Sequence, residues 1–485
     1  MTATAALRRW STTSRDALPA NLWDADSIAA ATGGTASAPL AVAGVEIDSR
    51  DVRSGDLFVA LKGESGDGHD YLAAAFAKGA PAALVDRPVP YPHVLVADTA
   101  EALRRLAAVA RDRAAAKVIG VTGSVGKTGV KEAVFAALDR SSRGAAHRSV
   151  RSYNNHVGVP LSLARMPARS RFGVFEMGMN HAGEIDGLTR QVRPHVAVIT
   201  TIAPAHIENL GSIEAIADAK AEIFAGLEPG GTAVIPADSP QYAQLRAAAE
   251  ATGAKVIAFG RAADADMRLI DSIPAANGGS LVTVAFGEGR LVYSVAEPGE
   301  HWVMNSLAVM AAVHAAGGDL GAAGLALAEM GGLKGRGARH RVAAPGGKAL
   351  VIDESYNANP ASMRATLTQL GQTPAGRRIA VLGSMKELGD FADGFHAALL
   401  EPVRAADLDL VVLVGPEMLA LARELRNSGI QAVHGKPECV HCANPAEAIE
   451  QLNEFGLLGG DAVLIKGSNS LGLNAVVDEL VHRTA

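Results

Sequence analysis

The sequence predicts an α/β protein of about three domains, and three observations support that prediction. The chain has 485 residues, whereas a domain typically contains roughly 100–200. Short apolar runs alternate with helical patterns along most of the chain, which is typical of helices packed on largely parallel sheets. The composition is 48% hydrophobic but only 4% aromatic, so the cores are aliphatic and intrinsic disorder is excluded.

The charge balance and the cysteine content exclude other classes of protein. The chain carries 45 Lys and Arg residues against 51 Asp and Glu residues, a formal net charge of −6. Non-specific binding to nucleic acid or to an anionic membrane surface needs a basic excess, so we expect no nucleic-acid partner. Two cysteines, Cys439 and Cys442, cannot crosslink a chain of this length, which favours a reducing cytoplasm.

No segment has the pattern of a secretory signal or of a membrane span. The first twenty residues contain Arg8, Arg9 and Arg15 without a continuous apolar stretch, and we expect a loose N-terminal tail. Two long uncharged stretches cover 27–45 and 301–318. Glycine and proline interrupt the first, and the second favours a helix buried in a soluble domain, so we expect no membrane insertion.

The predicted elements fall into three successive sections. In the first, we expect strands at Val45–Asp48, Leu57–Leu61, Ala82–Val85 and Val94–Val96, and helices at Tyr71–Lys78 and Glu101–Arg113. In the second, we expect strands from Lys117 and at Phe172–Glu176, Val196–Ile202, Thr232–Ile235 and Lys255–Phe259, then an antiparallel hairpin of Leu281–Phe286 and Arg290–Val295. In the third, we expect strands near Ala349–Ile352, Ile379–Leu382, Leu410–Val414 and Ala462–Ile465.

Two glycine-rich segments mark functional points. Gly331–Gly337 contains four glycines in seven residues, which predicts a hinge before the third section. The segment from Gly120 to Thr128 reads Gly-Val-Thr-Gly-Ser-Val-Gly-Lys-Thr. A strand, a glycine turn and a helix in this order predict a phosphate-binding loop, with Lys127 at the β/γ-phosphates and Thr128 as a Mg²⁺ ligand. The first glycine of the strict motif is replaced by Val121, and the loop alone does not decide between ATP and GTP.

Three further side chains are candidates for the same site. Glu176 ends one predicted strand and His206 follows another, and parallel sheets collect ligand groups at the carboxyl ends of their strands. Each alone has an ordinary structural interpretation, but together they favour divalent metal near the phosphates. Lys220 lies on the apolar stripe of a predicted helix over 212–227. An inward-facing lysine must pair, snorkel or lose its charge, and a neutral amine can react with CO₂ to form a metal-binding carbamate.

Motifs in order along almost the whole chain resemble the Mur ligases, and most closely the members that add D-alanyl-D-alanine. They are Asp48-Ser-Arg50, Ser54–Leu61 with Asp67-Gly-His69, Thr122–Thr128, Asn154–Leu161, Glu176–His181, Ala205-His206, Ala219–Phe224, His301 with Asn305, Gly335-Arg336, Asp353–Pro360, Leu382–Gly389 and Lys466-Gly-Ser468. The Tyr356-Asn-Ala-Asn-Pro360 element is the specific one, because sister ligases usually carry other sequences there.

The resemblance implies three domains and one reaction. The domains are a small N-terminal α/β domain for the UDP substrate (1–115), a central P-loop ATPase domain with a parallel sheet (116–332) and a C-terminal Rossmann-like domain (333–485). The reaction is ATP-dependent: the carboxylate of UDP-MurNAc-tripeptide attacks the γ-phosphate, and the amine of D-alanyl-D-alanine displaces phosphate from the acyl phosphate. Such catalysis needs positioning and charge neutralisation more than an enzyme nucleophile. We expect a cytoplasmic monomer with small-molecule partners.

The resemblance also assigns roles to residues. The catalytic set comprises Lys127, His206, Lys220 and Arg336. The nucleotide set comprises Thr122, Gly123, Ser124, Val125, Gly126, Lys127, Thr128, His301, Asn305, Arg336 and Asp353. The substrate set comprises Ser49, Arg50 and His69 for UDP, Asn154 and Asn155 for the muramoyl peptide, and Tyr356, Asn357 and Asn359 for the dipeptide. Two Mg²⁺ ions are implied, with Thr128 and Glu176 at one and His206 and carbamylated Lys220 at the other.

The sequence departs from the family pattern at five positions. Val125 replaces the usual Asn, Gly129 replaces Thr or Ser, and Ser384, Lys386 and Trp302 also differ from most relatives. These departures affect details of the third domain and of the adenine contact rather than the class of reaction.

Alternatives stay open at this point. One is a sister ligase that adds another amino acid, and the other is a P-loop ATPase that makes no amide. The Cys439-Val-His-Cys442 segment lacks the second pair of a strong zinc motif, and we predict a solvent-near loop there. The third residue of the acceptor peptide is not specified.

Overall fold

The computed structural model describes residues 21–63, 66–275, 278–428 and 438–482. The N-terminal tail predicted for the first twenty residues lies outside them. Each of the three sections forms its own sheet with helices packed against it, which confirms the three-domain α/β prediction. The exact domain boundaries stay a prediction. Among the described residues, no helix is both long and apolar enough to cross a bilayer.

The N-terminal domain contains a five-stranded sheet of order β2-β7-β6-β5-β4. Strands β4 to β7 are parallel, and β2 is antiparallel to β7. Its elements are β1 (Trp23–Asp24), α1 (Ala25–Thr32), β2 (Thr35–Ala36), β3 (Ala41–Val42), β4 (Gly44–Glu46), β5 (Asp56–Val59), α2 (Leu72–Ala77), β6 (Ala82–Val85), β7 (His93–Leu95) and α3 (Thr99–Arg113).

The central domain contains a nine-stranded sheet of order β16-β15-β14-β13-β12-β11-β8-β10-β9. Its strands are β8 (Lys117–Thr122), β9 (Ala146–Arg148), β10 (Phe172–Glu176), β11 (Val196–Ile199), β12 (Thr232–Pro236), β13 (Lys255–Gly260), β14 (Met267–Pro274), β15 (Ser280–Phe286) and β16 (Gly289–Val295). Its helices are α4 (Lys127–Ser142), α5 (Gly158–Ala164), α6 (Glu184–Val192), α7 (Ile207–Leu210), α8 (Ile213–Ala221), α9 (Tyr242–Ala251), α10 (Glu300–Ala315) and α11 (Leu320–Glu329). The sheet is parallel from β9 to β14, and β14, β15 and β16 pair antiparallel as the predicted hairpin requires.

The C-terminal domain contains a six-stranded sheet of order β17-β18-β22-β19-β20-β21. All neighbours are parallel except β17 and β18. Its strands are β17 (Ala338–Ala344), β18 (Gly347–Glu354), β19 (Arg378–Gly383), β20 (Leu410–Val414), β21 (Glu438–Cys442) and β22 (Ala462–Lys466). Its helices are α12 (Pro360–Gln372), α13 (Ala392–Ala397), α14 (Leu400–Ala405), α15 (Leu419–Asn427), α16 (Pro445–Phe455) and α17 (Asn474–His482).

Three predicted elements need correction. The strand expected at Val196–Ile202 ends at Ile199. The helix expected over 212–227 ends at Ala221 and continues as a 3₁₀ turn over Glu222–Gly226. The Thr189 hydroxyl of α6 donates a 2.8 Å hydrogen bond to the Ile223 carbonyl, and no room remains for a β-carbon on Gly226 against Thr189. Close packing between α6 and this turn therefore accounts for the tighter winding.

The loop predicted at Cys439–Cys442 is wrong, because both cysteines lie in β21 at the edge of the C-terminal sheet. Cys442 pairs with Val414 and is 2% exposed. Three residues apart on a strand, the two side chains point to opposite faces, and they pack in different hydrophobic clusters. A shared zinc ion is incompatible with that arrangement.

Candidate active site

A cavity of about 880 Å³ lies between the central and C-terminal domains, within the usual size range for small-molecule sites. It is formed where the carboxyl ends of β8, β10 and β11 face the carboxyl ends of β18 and β22. Of the predicted site residues, the cavity is lined by Ser124, Val125, Gly126, Lys127, Asn154, Glu176, His206, His301, Asn305, Arg336, Tyr356, Asn357 and Asn359.

The loop between β8 and α4 is anchored by hydrogen bonds to the segment that follows β11. The Ser124 amide donates to the Thr201 carbonyl at 2.8 Å, and the Ser124 hydroxyl donates to the Ala203 carbonyl at 2.8 Å. Gly126 has φ 88° and directly precedes α4. The helix N-terminus therefore opens into the cavity, and no side chain among the described residues caps it, an arrangement that suits a phosphate.

Lys127 is folded back onto the loop that it follows. Its Nζ donates to the Gly123 carbonyl at 2.6 Å. Burial lowers its pKa, while Glu176 and Glu387 oppose that effect and Arg336 adds to it. The amine thus lies among charged groups from both domains, where an anionic phosphate is a better partner than one carbonyl.

Thr128, Glu176 and Asn154 form a hydrogen-bonded polar triad beside the loop. The Thr128 hydroxyl donates to Glu176 Oε2 at 2.9 Å, and Asn154 Nδ2 donates to Oε1 at 2.8 Å. Glu176 is 0% exposed, and the Ser149 hydroxyl accepts from its backbone N–H at 3.0 Å. Carboxylate and hydroxyl oxygens are the donors that Mg²⁺ prefers, so the triad fits a metal held against phosphates.

Lys220 lies behind the loop, with its side chain 1% exposed. No hydrogen bond or ion pair of its amine occurs within the part of the chain that the structure describes. Burial holds the pKa of this amine well below its usual range, and the nearby Lys127 charge adds to the shift. The prediction that Lys220 faces inward is therefore confirmed.

His301 and Asn305 lie on the first two turns of α10 and approach the loop from the side. A β-carbon on Gly126 would lie 2.9 Å from Asn305 Oδ1, so the amide packs directly on the phosphate loop. Burial lowers the pKa of His301 to about 4, and its ring is neutral at physiological pH. Trp302 occupies the space above Gly129, where a β-carbon would approach its Cη2 to 2.8 Å. These two departures from the family pattern are thus spatially complementary.

The C-terminal wall carries the Tyr356-Asn-Ala-Asn element. The Arg336 guanidinium lies over the Tyr356 ring at 4.3 Å. Lys466, 1% exposed at the end of β22, donates to the Asn357 carbonyl at 2.9 Å. Asn359 caps α12 by accepting from the Ser362 amide at 2.9 Å. The wall is therefore a short loop held between a buried lysine and a helix cap.

Several predicted site residues do not line the cavity. Asp353 is 1% exposed, and its carboxylate accepts from the Gly335 amide at 2.7 Å and from Ser355. It thus fixes the hinge rather than facing the cavity. Asn155 accepts from the first amides of α5. Thr122, Gly123, Thr128 and Lys220 lie beneath the cavity surface.

The three residues expected at UDP belong to the N-terminal domain. The Arg50 side chain is 87% exposed and pairs with Asp48 at 2.7 Å. His69 Nδ1 lies 2.6 Å from Asp67, and Nε2 lies 3.2 Å from Asp86, so both ring nitrogens are engaged. Ser49 is half-buried. The structure does not bring these residues to the cavity, and their role stays a prediction.

Several cavity residues had no predicted role, among them Lys466 and Glu387. Both belong to motifs that carry the resemblance. For Lys466 the available signal was a lysine at the end of an apolar strand. For Glu387 it was an acidic residue between two glycines. Glu387 Oε2 lies 2.5 Å from Nδ1 of His206.

No cluster of three or more His, Cys, Asp or Glu side chains positioned for a metal occurs among the described residues. A magnesium ion beside bound phosphates needs no such cluster, because it takes one or two protein ligands and completes its shell with phosphate and water. The donors present are the Thr128 hydroxyl, the Glu176 carboxylate and the His206 ring.

Comparisons with known proteins cover most of the chain. Residues 41–119 match the catalytic domain of the Mur ligase family, 121–313 the Mur ligase middle domain, and 339–469 the Mur ligase glutamate ligase domain. A UDP-N-acetylmuramoyl-tripeptide--D-alanyl-D-alanine ligase of Synechocystis is 35% identical over 90% of this chain and 91% of its own.

Solved structures agree with that assignment. MurF from Acinetobacter baumannii superposes with a TM-score of 0.79 at 31% identity, covering 95% of this chain and 99% of its own. MurF from Thermotoga maritima in complex with ADP gives a TM-score of 0.72 at 26% identity, covering 90% and 96%. The chain therefore belongs to the Mur ligase family.

Proposed function

We propose that this chain is the ligase that joins D-alanyl-D-alanine to UDP-MurNAc-tripeptide at the expense of ATP. The observation that carries the proposal is the cavity itself, which places a phosphate loop opposite the Tyr356-Asn-Ala-Asn element. The names of the curated relatives state the same two substrates. That element disfavours a sister ligase that adds another amino acid. An ATPase that makes no amide would not need a substrate-binding wall opposite the phosphate loop.

The side of the cavity formed by the central domain, here called the central wall, carries the phosphate loop and activates the acceptor carboxylate. A free carboxylate resists attack by an amine, whereas an acyl phosphate carries a good leaving group. The loop amides and Lys127 hold the β- and γ-phosphates in line with that carboxylate, and Arg336 meets the nucleotide from the hinge. Positioning and charge neutralisation supply most of the rate enhancement in phosphoryl transfer.

Thr128 and Glu176 would hold one magnesium, and His206 with modified Lys220 would hold a second. When bound, the metal neutralises charge that develops on the phosphate oxygens. The buried neutral amine of Lys220 attacks CO₂, forms an N–C bond and releases one proton, which leaves an anionic carbamate. A buried lysine with a strongly lowered pKa is suited to that step.

The C-terminal wall receives the incoming dipeptide. Tyr356, Asn357 and Asn359 line the cavity, and Lys466 holds their loop. The dipeptide amine then attacks the acyl carbon, a tetrahedral intermediate forms, and phosphate leaves. The N-terminal domain would hold UDP through Ser49, Arg50 and His69. We further propose a monomer that works in the cytoplasm.

The test is acceptor dependence. Phosphate release is measured with ATP and with UDP-MurNAc-tripeptide and D-alanyl-D-alanine together, and with either omitted. We expect full-rate release only with both. Full-rate release with one omitted would contradict the proposal in favour of a bare ATPase. A screen of other amines and of GTP in place of ATP tests the sister-ligase alternative and the nucleotide.

A further inference from the structure

Glu387 connects the two walls of the cavity. It follows β19 in the C-terminal domain, whereas His206 directly precedes α7 in the central domain. The 2.5 Å approach of Glu387 Oε2 to His206 Nδ1 therefore crosses the domain boundary. Both side chains line the cavity.

The backbone at both ends of this contact is strained. His206 has φ 59° and Glu387 has φ 65°, values that cost a non-glycine residue about 1–3 kcal/mol and persist only where the surroundings enforce them. The Glu208 amide lies 3.4 Å from the Glu387 carbonyl that accepts from it. The two loops are thus docked backbone to backbone, and both strained residues point at the same contact.

The Glu387 carboxylate and the His206 ring are close enough for a hydrogen bond. His206 Nδ1 nevertheless has no partner within hydrogen-bond geometry among the described residues. The two groups touch without being aligned, and such contacts commonly tighten when substrates bind.

We propose that Glu387 is a positioning residue that sets the orientation and tautomer of the His206 ring when the C-terminal domain closes. The inference rests on the role of His206 proposed above. A carboxylate that accepts a hydrogen bond from Nδ1–H keeps the proton on that nitrogen. The lone pair of Nε2 then remains available to bind a metal ion. Because the carboxylate comes from the other domain, the ring is fixed only in the closed enzyme. Closure of the C-terminal domain therefore also fixes the His206 ring on the central wall.

A simple interdomain ion pair makes a different prediction. The His206 and Glu387 side chains are 24% and 48% exposed, and an exposed pair contributes about 0–1 kcal/mol. Such a pair biases closure slightly and leaves the site unchanged once closed. Lys386 and Glu417 supply a matched control, because they pair at 2.5 Å within the C-terminal domain beside the same loop.

The experiment uses the full-length variants Glu387→Gln, Glu387→Asp, Glu387→Gly and Glu417→Gln. For each we measure kcat, the KM of every substrate, the melting temperature, and Mn²⁺ binding by electron paramagnetic resonance with a non-hydrolysable ATP analogue. We expect Glu387→Gln to lower kcat and Mn²⁺ affinity about 10- to 100-fold, the range for residues that orient a metal ligand. The KM of UDP-MurNAc-tripeptide should stay nearly unchanged, and Glu387→Asp should recover part of the loss.

Glu387→Gly separates the carboxylate from the backbone. Glycine relieves the positive φ, so this variant should melt no lower than wild type yet lose as much rate as Glu387→Gln. Glu417→Gln should keep wild-type rates and Mn²⁺ affinity. Wild-type Mn²⁺ affinity in Glu387→Gln, or full activity in Glu387→Gly, would overturn the inference. Mn²⁺ binding does not depend on amide formation, so failure of the acceptor-dependence test remains distinguishable.

Discussion

The two walls of the cavity are built in opposite ways. On the central wall, Thr128, Glu176 and Lys220 are at most 6% exposed and are fixed by the sheet and helices around them. On the C-terminal wall, Tyr356 is 39% exposed and Asn357 is exposed on a loop. That loop lies against the segment predicted to be a hinge, in which Gly335 and Gly337 have φ 74° and 95°.

The difference follows from what each wall must do. Charged groups that stabilise phosphoryl transfer must be in place before the reaction, so burial and backbone constraint are suited to them. Under the proposed function an incoming dipeptide must enter and leave, which suits an open wall on a domain that we expect to close. Changes on the central wall should therefore affect the chemical step, and changes on the other wall should affect binding.

The largest effect is expected for Lys220→Ala. Loss of a carbamate from the central wall should lower kcat about 100- to 1,000-fold, as removal of one charge-stabilising group typically does. Short-chain carboxylates such as acetate should restore part of the rate, because they fit the space that the lysine leaves. Steady-state rates with and without carboxylate measure this.

Lys131 supplies the control for Lys220. It is 0% exposed, but its Nζ donates to the Arg151 carbonyl at 2.5 Å and lies 2.8 Å from Glu132. Lys131→Ala should destabilise the fold, and any loss of rate should not respond to carboxylates. Full activity of Lys220→Ala without added carboxylate would remove Lys220 from the mechanism.

The sequence predicted the central wall better than the C-terminal one. The phosphate loop, the strand-end Glu176 and the inward-facing Lys220 follow from local patterns, because one strand and one helix position each of them. The contact between Glu387 and His206 depends on how two domains meet, which no local pattern encodes. Strand β21 was missed because an edge strand need not alternate cleanly between apolar and polar residues.

The second largest effect is expected at the border between the walls. Glu297, 7% exposed, and Glu354 both flank Gly337 of the hinge. Burial raises the pKa of Glu297 from 4.5 to about 7; Glu354 adds to the shift and Arg339 opposes it. The native state thus retains a proton that the unfolded state loses, and stability falls as pH rises from 4.5 to 7.

Glu297→Gln should remove this loss of stability at high pH, because glutamine does not ionise. The variant should match wild type near pH 4.5 and exceed its free energy of unfolding by up to about 3 kcal/mol at pH 8, since one unit of pKa corresponds to about 1.4 kcal/mol. Denaturant titrations at both pH values measure the difference. Glu329→Gln, which removes an exposed partner of Arg140, is the control and should show no such dependence. An equal effect at both pH values would contradict the prediction.

A smaller effect is expected for Gly126→Ala. A positive φ costs alanine about 1–3 kcal/mol, and the new methyl group would displace the Asn305 amide. The KM of ATP should rise about 5- to 150-fold, the range that this strain corresponds to. Gly230→Ala is the control, since Gly230 has φ 74° with open space around it. It should lose stability and keep the wild-type KM; an unchanged KM in Gly126→Ala would show that the loop is less constrained than its geometry indicates.

The smallest effect is expected for Tyr356→Leu, and it tests whether the walls act separately. The Tyr356 ring contacts Arg336, so its loss should raise the KM values of both ATP and the dipeptide about two- to fivefold, which matches a cation–π contact of about 0.5–1 kcal/mol. Tyr356→Phe retains the ring and should behave like wild type. The Arg377 guanidinium lies over the Phe455 ring at 4.4 Å, and this pair is remote from the cavity. Phe455→Leu should therefore leave both KM values unchanged. If Tyr356→Leu raises only the KM of the dipeptide, the walls are independent at this point, and Arg336 is held at the nucleotide by other groups.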